Sequence, residues 1–260
     1  MPIKKPTTWS AVAPWYDTLL EGSADTYQSA VIAPNLLRIL ELKKGDKVLD
    51  LACGQGFFSR LLHDAGARVT GVDISRELID IARERSPKDI SYKVSASHAL
   101  PFMTDLGQDI VLIVLSLENI KDVAGTVAEA SRVLLPGGRV AIVLMHPAFR
   151  IPRDSGWMYD APTQKQLRTI SSYLSEKEYE IVMNPGEIKK NKQIKTISYH
   201  RSLQWYMKTF RKAGLAITRL EEWISHKESG KGPRKATEDA ARKEIPMFLY
   251  LELAKTPKNL

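Results

Sequence analysis

The stretch Val48-Leu-Asp-Leu-Ala-Cys-Gly-Gln-Gly56 decides the fold of this 260-residue chain. The apolar run 47–51 predicts a strand, and the glycines at 54 and 56 predict a turn that leads into a helix over 57–65. Glycine has no Cβ, so the backbone of such a turn can approach a ligand closely between the end of a strand and the start of a helix. The stretch therefore predicts the ligand-binding turn of an α/β protein.

The alternation of strands and helices continues on the C-terminal side of this stretch. Apolar runs predict strands and helical periodicity predicts helices in this order: strand 68–72, helix 76–85, strand 91–94, strand 110–115, helix 123–134 and strand 139–144. Strands that alternate with helices imply right-handed crossovers and a parallel sheet with helices on both faces. The predicted fold class is therefore α/β, with a Rossmann-like, doubly wound sheet.

Four regions follow from this pattern. Residues 1–44 are predicted to form helices, in two pieces that break near Gly22-Ser23, and residues 45–147 form the core. The alternation is lost over 148–198, where prolines and polar residues indicate a cap inserted over the sheet. Residues 199–260 are predicted to complete the sheet, since two late apolar runs indicate strands added in antiparallel orientation at its edge.

Composition narrows the class of protein. Hydrophobic residues make up 43% of the chain and charged residues 26%, which is the profile of a soluble globular protein. The single cysteine, Cys53, excludes a disulfide framework and a cysteine-rich zinc site, and the five histidines lack metal-binding spacing. The longest apolar stretch, 110–117, is too short to cross a bilayer, and the N-terminus lacks the apolar segment of a secretory signal. We expect a cytoplasmic protein with no metal site and no membrane insertion.

Basic residues are concentrated in the second part of the chain. The formal net charge is +8, yet residues 1–150 contain 17 basic and 17 acidic side chains, so residues 151–260 carry the whole surplus. A basic surface can attract nucleic acid, an anionic surface or an acidic small molecule, and it can equally be an ordinary solvated surface. Charge alone leaves the partner open, and the sequence leaves the oligomeric state open.

Two carboxylates flank the glycine turn. Asp73 ends the second strand 19 residues after Gly54, where a carboxylate can bind the paired hydroxyls of a ribose. Ser59 replaces the third glycine of the dinucleotide fingerprint, and Asp50 stands where it would repel a pyrophosphate. A nucleoside with a cationic end, such as S-adenosylmethionine, suits this arrangement better than a dinucleotide.

Five ordered motifs carry a family resemblance: VLDLACGQG (48–56), VTGVDIS (69–75), ALPF (99–102), LSLENIKD (115–122) and ASRVLLPGG (130–138). The chain resembles the class I S-adenosylmethionine-dependent methyltransferases, in a type 11, UbiE-like branch with an HPxFRIPR segment at 146–153. The resemblance implies a seven-stranded sheet whose last strand is antiparallel, and an N-terminal helical lid. It also implies S-adenosylmethionine as the cofactor, with S-adenosylhomocysteine as its product.

The resemblance further implies which residues contact the cofactor. The methionine part would lie on the glycine turn, the ribose on the carboxylate after the second strand and the adenine on the segments after the second and third strands; the residues concerned are Tyr27, Asp50, Ala52, Cys53, Gly54, Gln55, Gly56, Asp73, Ile74, Ser97, His98 and Leu115. In one departure from the family, Ala96 stands where an aspartate often contacts the adenine amino group. Backbone groups and a serine hydroxyl would then recognise the adenine.

The acceptor site is expected beyond the carboxyl ends of the fourth and fifth strands, beneath the cap. The candidate acceptor contacts are Tyr16, Asn119, Arg150, Arg153, Trp157 and Tyr159. Aromatic rings would hold a planar acceptor and arginines would hold a carboxylate or phosphate; alternatively, the arginines pair with acidic residues of the cap, such as Asp154 or Asp160. His146 and His200 are the candidate catalytic bases, since Asn119 occupies a position that is often histidine in the family.

Three functions remain open at the level of sequence. The first is methylation of an oxygen, a nitrogen or possibly a carbon of a small molecule, which the predicted cap and the aromatic residues favour. The second is methylation of RNA through the basic C-terminal half, although no Asn-Pro-Pro-Tyr-type motif or paired catalytic cysteines are present. The third is cofactor binding without catalysis. A small-molecule acceptor is therefore the favoured partner, and nucleic acid is the less favoured one.

Overall fold

The computed structural model describes residues 8–22, 25–183 and 195–256. Ser23 of the predicted helix break and Pro185 of the predicted cap lie outside these ranges. The described strands are Lys47–Leu51 (β1), Arg68–Asp73 (β2), Ser91–Val94 (β3), Gln108–Val114 (β4), Leu134–Met145 (β5), Ser155–Asp160 (β6), Lys165–Ile170 (β7), Lys177–Val182 (β8), Lys195–His200 (β9), Leu215–Trp223 (β10) and Phe248–Lys255 (β11). The described α-helices are Thr8–Glu21 (α1), Ala33–Leu40 (α2), Phe57–Asp64 (α3), Arg76–Arg85 (α4), Val123–Val133 (α5), Leu203–Lys212 (α6) and Lys235–Glu244 (α7). None of these seven helices is both long and apolar enough to cross a membrane.

Seven of the strands form one sheet in the order β10-β11-β5-β4-β1-β2-β3. β1 is parallel to both of its neighbours, and Leu49 lies opposite Thr70 of β2 and Val111 of β4. The last strand, β11, lies between β5 and β10 and is antiparallel to both. The predicted Rossmann-like sheet of seven strands with an antiparallel last strand is therefore confirmed.

Helices cover both faces of the sheet because the central strands bury both of their sides. Val111, Leu112 and Ile113 of β4 have no exposed surface. Apolar side chains of α2, α3 and α4 pack on one face, and those of α5 and α6 pack on the other. Each large apolar side chain buried in this way contributes about 1.5–3 kcal/mol, so the two layers fix the carboxyl ends of the central strands relative to each other.

The segment between β5 and α6 forms two β-hairpins. β6 pairs with β7, with Trp157 opposite Arg168, and β8 pairs with β9, with Tyr179 opposite Ser198. The sequence predicts no strands here, because most of these side chains remain partly exposed and the apolar alternation of a half-buried strand is weak. The region predicted to be an irregular cap thus contains ordered hairpins.

α7 lies in a polar segment for which the sequence predicts no element. Ala241 is its one buried residue, so the helix has no broad apolar face from which periodicity could predict it. Lys235 forms an ion pair with Asp239 one turn later, over 2.7 Å. Pairs of this spacing stabilise an exposed helix by a few tenths of a kcal/mol, roughly 0.3–0.5 kcal/mol each.

α1 packs along α4, beside the carboxyl end of β2. Ser10 Oγ lies 3.3 Å from Ser75 Oγ, and Arg85 Nη2 donates to Asp17 Oδ2 over 2.7 Å. The resemblance implies a lid in this position. That α1 acts as a lid remains a prediction, while its contacts show that it closes one side of the region above β1 and β2.

Candidate active site

The turn after β1 adopts the left-handed backbone conformation at three positions. The φ angles are 62° at Ala52, 57° at Gly54 and 84° at Gly56. Glycine adopts this conformation freely, whereas a left-handed alanine is strained, and strained residues cluster at ligand sites. The amide of Cys53 donates to the carbonyl of Val72 over 3.0 Å. The turn is thereby fixed at the carboxyl ends of β1 and β2.

Gly56 ends this turn and has no room for a side chain. A Cβ on Gly56 would lie 2.5 Å from Tyr92 Oη and 3.1 Å from Ala82 Cβ. We expect Gly56→Ala to lower the free energy of unfolding, measured in urea, by about 2–4 kcal/mol, because left-handed strain and steric overlap add. The matched control is Gly45→Ala: Gly45 has a φ of 89° but no heavy atom within 4 Å of its Cβ position, so strain alone should cost about 1–2 kcal/mol. Equal losses in the two variants would contradict the steric argument.

Asp73 is held at the end of β2 by backbone amides. Its Oδ2 accepts from Gly54 N over 3.0 Å and its Oδ1 accepts from Ser75 N over 2.8 Å. The side chain is 8% exposed, and burial raises its pKa, while these two hydrogen bonds oppose the rise. Each carboxylate oxygen keeps a lone pair for a further donor, so Asp73 can accept from a pair of ligand hydroxyls.

Asp50 lies deeper, at the end of β1. Its Oδ2 accepts from Ser59 Oγ over 2.6 Å, and the residue is 2% exposed. Burial raises the pKa of Asp50 to about 7, and the nearby charge of Asp73 adds to the rise. Desolvation and the like charge of Asp73 both disfavour the carboxylate form of Asp50. A cation bound beside Asp50 would favour the ionised form, and the carboxylate would in turn stabilise the cation.

A pocket lies above the turn, and we call it the turn pocket. It is lined by the turn itself, by Asp73 and Ile74 after β2, by the segment after β4 and by Trp9 and Tyr16 of α1. Asp50 also lines it, and none of the described lining residues is a lysine or arginine. The pocket therefore suits a ligand with positive charge and disfavours a pyrophosphate.

S-adenosylmethionine fits this pocket in its chemistry. A ribose needs an acceptor for two hydroxyls, which Asp73 supplies, and a sulfonium and an ammonium group need a negative environment, which both aspartates supply. The left-handed turn leaves backbone exposed to the ligand, and Ile74, 38% exposed, offers an apolar surface beside it. The residues present thus fit this cofactor.

Tyr16 closes the turn pocket from the side of α1. A Cβ on Gly54 would lie 3.7 Å from Tyr16 Cε1, and the Trp9 ring meets the Tyr16 ring edge-on with centroids 5.7 Å apart. Burial raises the pKa of Tyr16 to about 12, although a hydrogen bond with Gln28 opposes the rise. Tyr16 is therefore a neutral hydroxyl at neutral pH and excludes water from the pocket.

A second pocket lies beneath the hairpins, and we call it the cap pocket. It is lined by Glu118 and Asn119 after β4, by Met145 at the end of β5, by Pro147 and residues 150–153 after it, by Arg168 of β7 and by side chains of β8 and β9. Trp9 and Asn119 line both the turn pocket and the cap pocket. The two pockets therefore adjoin at these two residues.

Most residues that the resemblance assigns to the cofactor line the turn pocket: Asp50, Ala52, Cys53, Gly54, Gln55, Asp73, Ile74 and Leu115. Gly56 lies directly before α3 as its N-cap residue. Tyr16, which the sequence assigns to the acceptor, lines the turn pocket instead, and Asn119 lines both pockets. Tyr16 is therefore placed beside the cofactor pocket and not beside the acceptor pocket, because α1 covers the turn.

Besides Gly56, three residues that the resemblance assigns to the cofactor do not line the turn pocket. Tyr27 packs edge-on against Phe248 of β11, with ring centroids 5.6 Å apart, so its ring packs on the hydrophobic core at β11. Ser97 Oγ lies 2.7 Å from Thr126 Oγ1, and His98 is exposed near the start of α5. Contact of Ser97 and His98 with adenine stays a prediction.

The aromatic residues assigned to the acceptor do not line the cap pocket. The Trp157 ring lies 5.6 Å from the guanidinium carbon of Arg150 and 5.2 Å from that of Arg168. The Tyr159 ring lies 4.1 Å from the guanidinium carbon of Arg234. These rings therefore hold arginine side chains rather than forming a platform for an acceptor.

The two candidate basic histidines occupy different environments. His146 lies outside both pockets: its Nε2 is 2.8 Å from Glu222 Oε1, and its Nδ1 accepts from Ala148 N over 3.2 Å. Burial lowers its pKa. His200 lines the cap pocket, but its Nε2 is 2.8 Å from Tyr173 O. Both ring nitrogens of His146 are engaged, so the geometry does not favour His146 as the base.

Glu118 is a residue of the cap pocket that the sequence reasoning missed. Its Oε2 is inaccessible to water and has no hydrogen-bond partner among the described residues. Burial raises the pKa of Glu118 to about 7, although nearby backbone amides and Arg201 oppose the rise. Its only sequence signal is its position beside Asn119, at the end of β4 where catalytic groups of this fold class stand. An unpartnered carboxylate with such a pKa is suited to accept a proton.

Arg201 holds the segment that carries Glu118. It is 5% exposed and donates to the carbonyl oxygens of Leu117, Ile120 and Lys121 over 3.0–3.2 Å. These bonds pair with carbonyl groups of the turn that follows the strand. Arg201, which the sequence reasoning also missed, therefore fixes the position of Glu118.

Comparison with known proteins identifies relatives of this chain. Residues 49–142 match the family model for a methyltransferase domain. The demethylmenaquinone methyltransferase of Tropheryma whipplei strain Twist is 36% identical over 113 residues, which are 42% of this chain and 46% of that protein. The ubiquinone biosynthesis O-methyltransferase of Aromatoleum aromaticum is 34% identical over 115 residues, which are 41% of this chain and 47% of that protein.

A solved structure is similar over a longer part of the chain. The crystal structure of an S-adenosylmethionine dependent methyltransferase from Mesorhizobium loti matches with a TM-score of 0.66 and 26% identity, covering 86% of this chain and 98% of that one. By contrast, the chain spans about half the length of the two curated relatives. The family model over residues 49–142, the sheet topology and the sequence motifs agree: this chain contains a methyltransferase domain and is similar to the class I S-adenosylmethionine-dependent methyltransferases.

Proposed function

We propose that this protein transfers a methyl group from S-adenosylmethionine to an oxygen or nitrogen atom of a small molecule bound in the cap pocket. The observation that carries the proposal is that the turn pocket and the cap pocket adjoin at Trp9 and Asn119. A donor in one pocket and an acceptor in the other would meet there. Holding two reactants in line in this way supplies most of the catalysis that methyl transfer needs.

The donor would bind through the turn, with its ribose on Asp73 and its cationic part near Asp50. When bound, S-adenosylmethionine supplies a methyl group whose bond to sulfur breaks with the electron pair left on sulfur, giving neutral S-adenosylhomocysteine. Tyr16 and Trp9 would exclude water from this site, because both belong to the helix that covers it. Exclusion of water strengthens the electrostatic contacts inside and prevents side reactions.

Glu118 would accept the proton that the acceptor loses when the new bond to carbon forms. Its Oε2 has no hydrogen-bond partner among the described residues. The pKa of Glu118, about 7, matches a base that works near neutral pH. Arg201 would act as a positioning residue, because its three hydrogen bonds fix the backbone around Glu118.

The relatives support a small-molecule acceptor. One is named a demethylmenaquinone methyltransferase and another a ubiquinone biosynthesis O-methyltransferase. The second name supports oxygen as the methylated atom, and the first leaves carbon as an alternative. Neither name favours RNA methylation or cofactor binding without catalysis, which are the two other functions that the sequence leaves open.

The proposal is tested with cofactor carrying a radiolabelled methyl group. Calorimetric titration of the protein with S-adenosylmethionine and S-adenosylhomocysteine should show binding in the micromolar range, roughly −8 kcal/mol. Incubation with a cell extract should then move label into molecules small enough to pass an ultrafiltration membrane. Label in RNA instead would favour the second function, binding without label transfer would favour the third, and absence of binding would overturn the proposal.

A further inference from the structure

Arg150 carries a charge that the described residues do not neutralise. Its Nε is buried without a hydrogen-bond partner, and the guanidinium forms no hydrogen bond or ion pair with a residue of the described ranges. Burial, together with the neighbouring charge of Arg168, lowers its pKa to about 10. Arg150 as a whole is partly buried, and a partly desolvated, unpaired charge is costly, so such a group is normally found where a ligand completes it.

The other arginines of the cap pocket differ from Arg150 in this respect. Arg153 donates to a backbone carbonyl over 3.0 Å, Arg168 to another over 2.8 Å, and Arg201 to three. These hydrogen bonds give each of the three a structural role. Arg150 is therefore the arginine of this group whose donors are left for a ligand.

Acidic residues of the cap do not take up the charge of Arg150. Asp154 pairs with Lys177 over 2.7 Å, and Asp160 accepts from Thr163. The alternative in which Arg150 pairs with one of these two carboxylates is therefore not realised. Among the residues that line the cap pocket, Glu118 is the one carboxylate against four arginines. The described side chains that line the pocket therefore carry a net positive charge, which an anionic ligand would neutralise.

We propose that Arg150 binds an oxyanion of the methyl acceptor, a carboxylate or a phosphate, and that the acceptor is therefore an anionic small molecule. This inference rests on the proposed function and names its substrate class. The planar guanidinium presents two parallel N–H donors that match either oxyanion. Trp157, whose ring lies 5.6 Å from the guanidinium carbon, would hold this plane in place.

The anchor would also set the orientation of the acceptor. Asn119 lines both pockets, whereas Arg150 lines the cap pocket alone. An acceptor whose oxyanion lies on Arg150 can direct its opposite end towards Asn119, where the two pockets adjoin. Recognition of one end and reaction at the other would explain why the pocket combines an unpaired cation with the proton acceptor Glu118.

The test uses simple aromatic probes in the presence of saturating S-adenosylhomocysteine. Benzoate, phenyl phosphate and neutral benzyl alcohol are titrated by ligand-observed NMR into wild type, Arg150→Met, Arg150→Lys and Arg234→Gln. Arg234→Gln removes the same charge at a residue that does not line the cap pocket. We expect the two anions to bind better than the alcohol and Arg150→Met to weaken the better anion about 10- to 100-fold, with partial rescue by lysine. Arg234→Gln should bind as wild type does.

A readout on the free protein separates ligand binding from a structural role. Arg150→Met should melt at the same temperature as wild type or higher, because it removes a partly buried charge that has no hydrogen-bond or ion-pair partner among the described residues. Oxyanion affinity that is equal in wild type and Arg150→Met, or no preference for the anions over benzyl alcohol, would overturn the inference. A lowered melting temperature with no change in anion affinity would show a structural role and would also overturn it.

Two further comparisons define the result. The stronger of the two anions, benzoate or phenyl phosphate, identifies which oxyanion the acceptor carries. S-adenosylhomocysteine should bind Arg150→Met as tightly as it binds wild type, because Arg150 does not line the turn pocket. Failure of S-adenosylhomocysteine to bind wild type would refute the proposed function itself, whereas its binding without recognition of anions would refute only this inference.

Discussion

Replacing Asp73 by alanine is expected to weaken the binding of S-adenosylmethionine and S-adenosylhomocysteine at least about 100-fold, a loss of roughly 3 kcal/mol or more. Two hydrogen bonds from ribose hydroxyls to a carboxylate would be lost, and each charge-assisted bond contributes about 1.5–3 kcal/mol. The change also removes the acceptor of Gly54 N and Ser75 N, so the turn loses its attachment to β2. Both effects act in the same direction.

Calorimetric titration of wild type, Asp73→Ala and Asp80→Ala measures this effect. Asp80 is an exposed residue of α4 that pairs with Arg83 over 3.0 Å, so its replacement removes the same charge without touching the turn pocket. Adenosine alone should show the same loss with Asp73→Ala, since it contains the ribose. Binding of either cofactor within about threefold of wild type, a difference below 1 kcal/mol, would place the ribose on another group.

The core of the fold is predictable from the sequence because its signals are local. β1, β2 and β4 consist of short apolar runs that are buried on both faces, and a glycine turn separates β1 from α3. β5 differs: it begins at Leu134, before the Pro-Gly-Gly turn signal, because Leu134 pairs with Gln108 across an irregular register. Such a pairing depends on a strand distant in the chain, and no local pattern contains it.

The hairpins of the cap are not predictable for a related reason. Their strands are held by backbone pairing between residues of mixed polarity, as between Tyr179 and Ser198, and not by an apolar face. Apolar residues alternate along a strand when one of its faces is buried, and backbone pairing alone produces no such alternation. The sequence therefore predicts a cap because a regular pattern is absent there, and the strands of the cap are identified only in the structure.

The two pockets differ in the same way. Eight of the nineteen described residues that line the turn pocket come from the continuous segments 50–57 and 73–74, whose motifs are local and predict a ligand site from the sequence. The charged groups of the cap pocket come from four separate segments, which carry Glu118, Arg150 with Arg153, Arg168, and Arg201. A glutamate in a sequence gives no sign that it will be buried without a partner. Its chemical role depends on that burial, so only the folded structure singles out Glu118.

Replacing Glu118 by glutamine is expected to lower the rate of methyl transfer about 100- to 10,000-fold, the usual contribution of a positioned general base. The amide fills the same space but cannot accept the acceptor's proton. In wild type the rate should rise with pH through an apparent pKa near 7, because the carboxylate must be ionised to act. Arg201, Tyr206 and Tyr16 interact electrostatically with Glu118, and they are unchanged in the variant. The dependence on pH should therefore disappear with Glu118→Gln.

Stability provides a second measurement that needs no acceptor. The pKa of Glu118 is raised from 4.5 to about 7 in the folded protein, so the folded state holds a proton that the unfolded state releases. This favourable contribution is complete below pH 4.5 and is lost as the pH rises to about 7. Glu118→Gln should therefore become more stable than wild type across this window, by up to about 3 kcal/mol at pH 8. Urea unfolding of both proteins at pH 5 and pH 8 measures the difference.

The control is Glu84→Gln, the same substitution at an exposed position of α4, which should change neither the rate nor the pH dependence of stability. A rate that still rises through the same pKa in Glu118→Gln would assign the proton to another group, and His200 is the next candidate because it lines the cap pocket. If the rate falls while the stability difference stays constant with pH, Glu118 is ionised throughout and holds the acceptor without taking its proton. Glu118→Gln is expected both to abolish the rise of the rate with pH and to gain stability over wild type as the pH rises. The two results occur together only when one carboxylate governs both, because the proton that it binds in the folded protein must leave before methyl transfer.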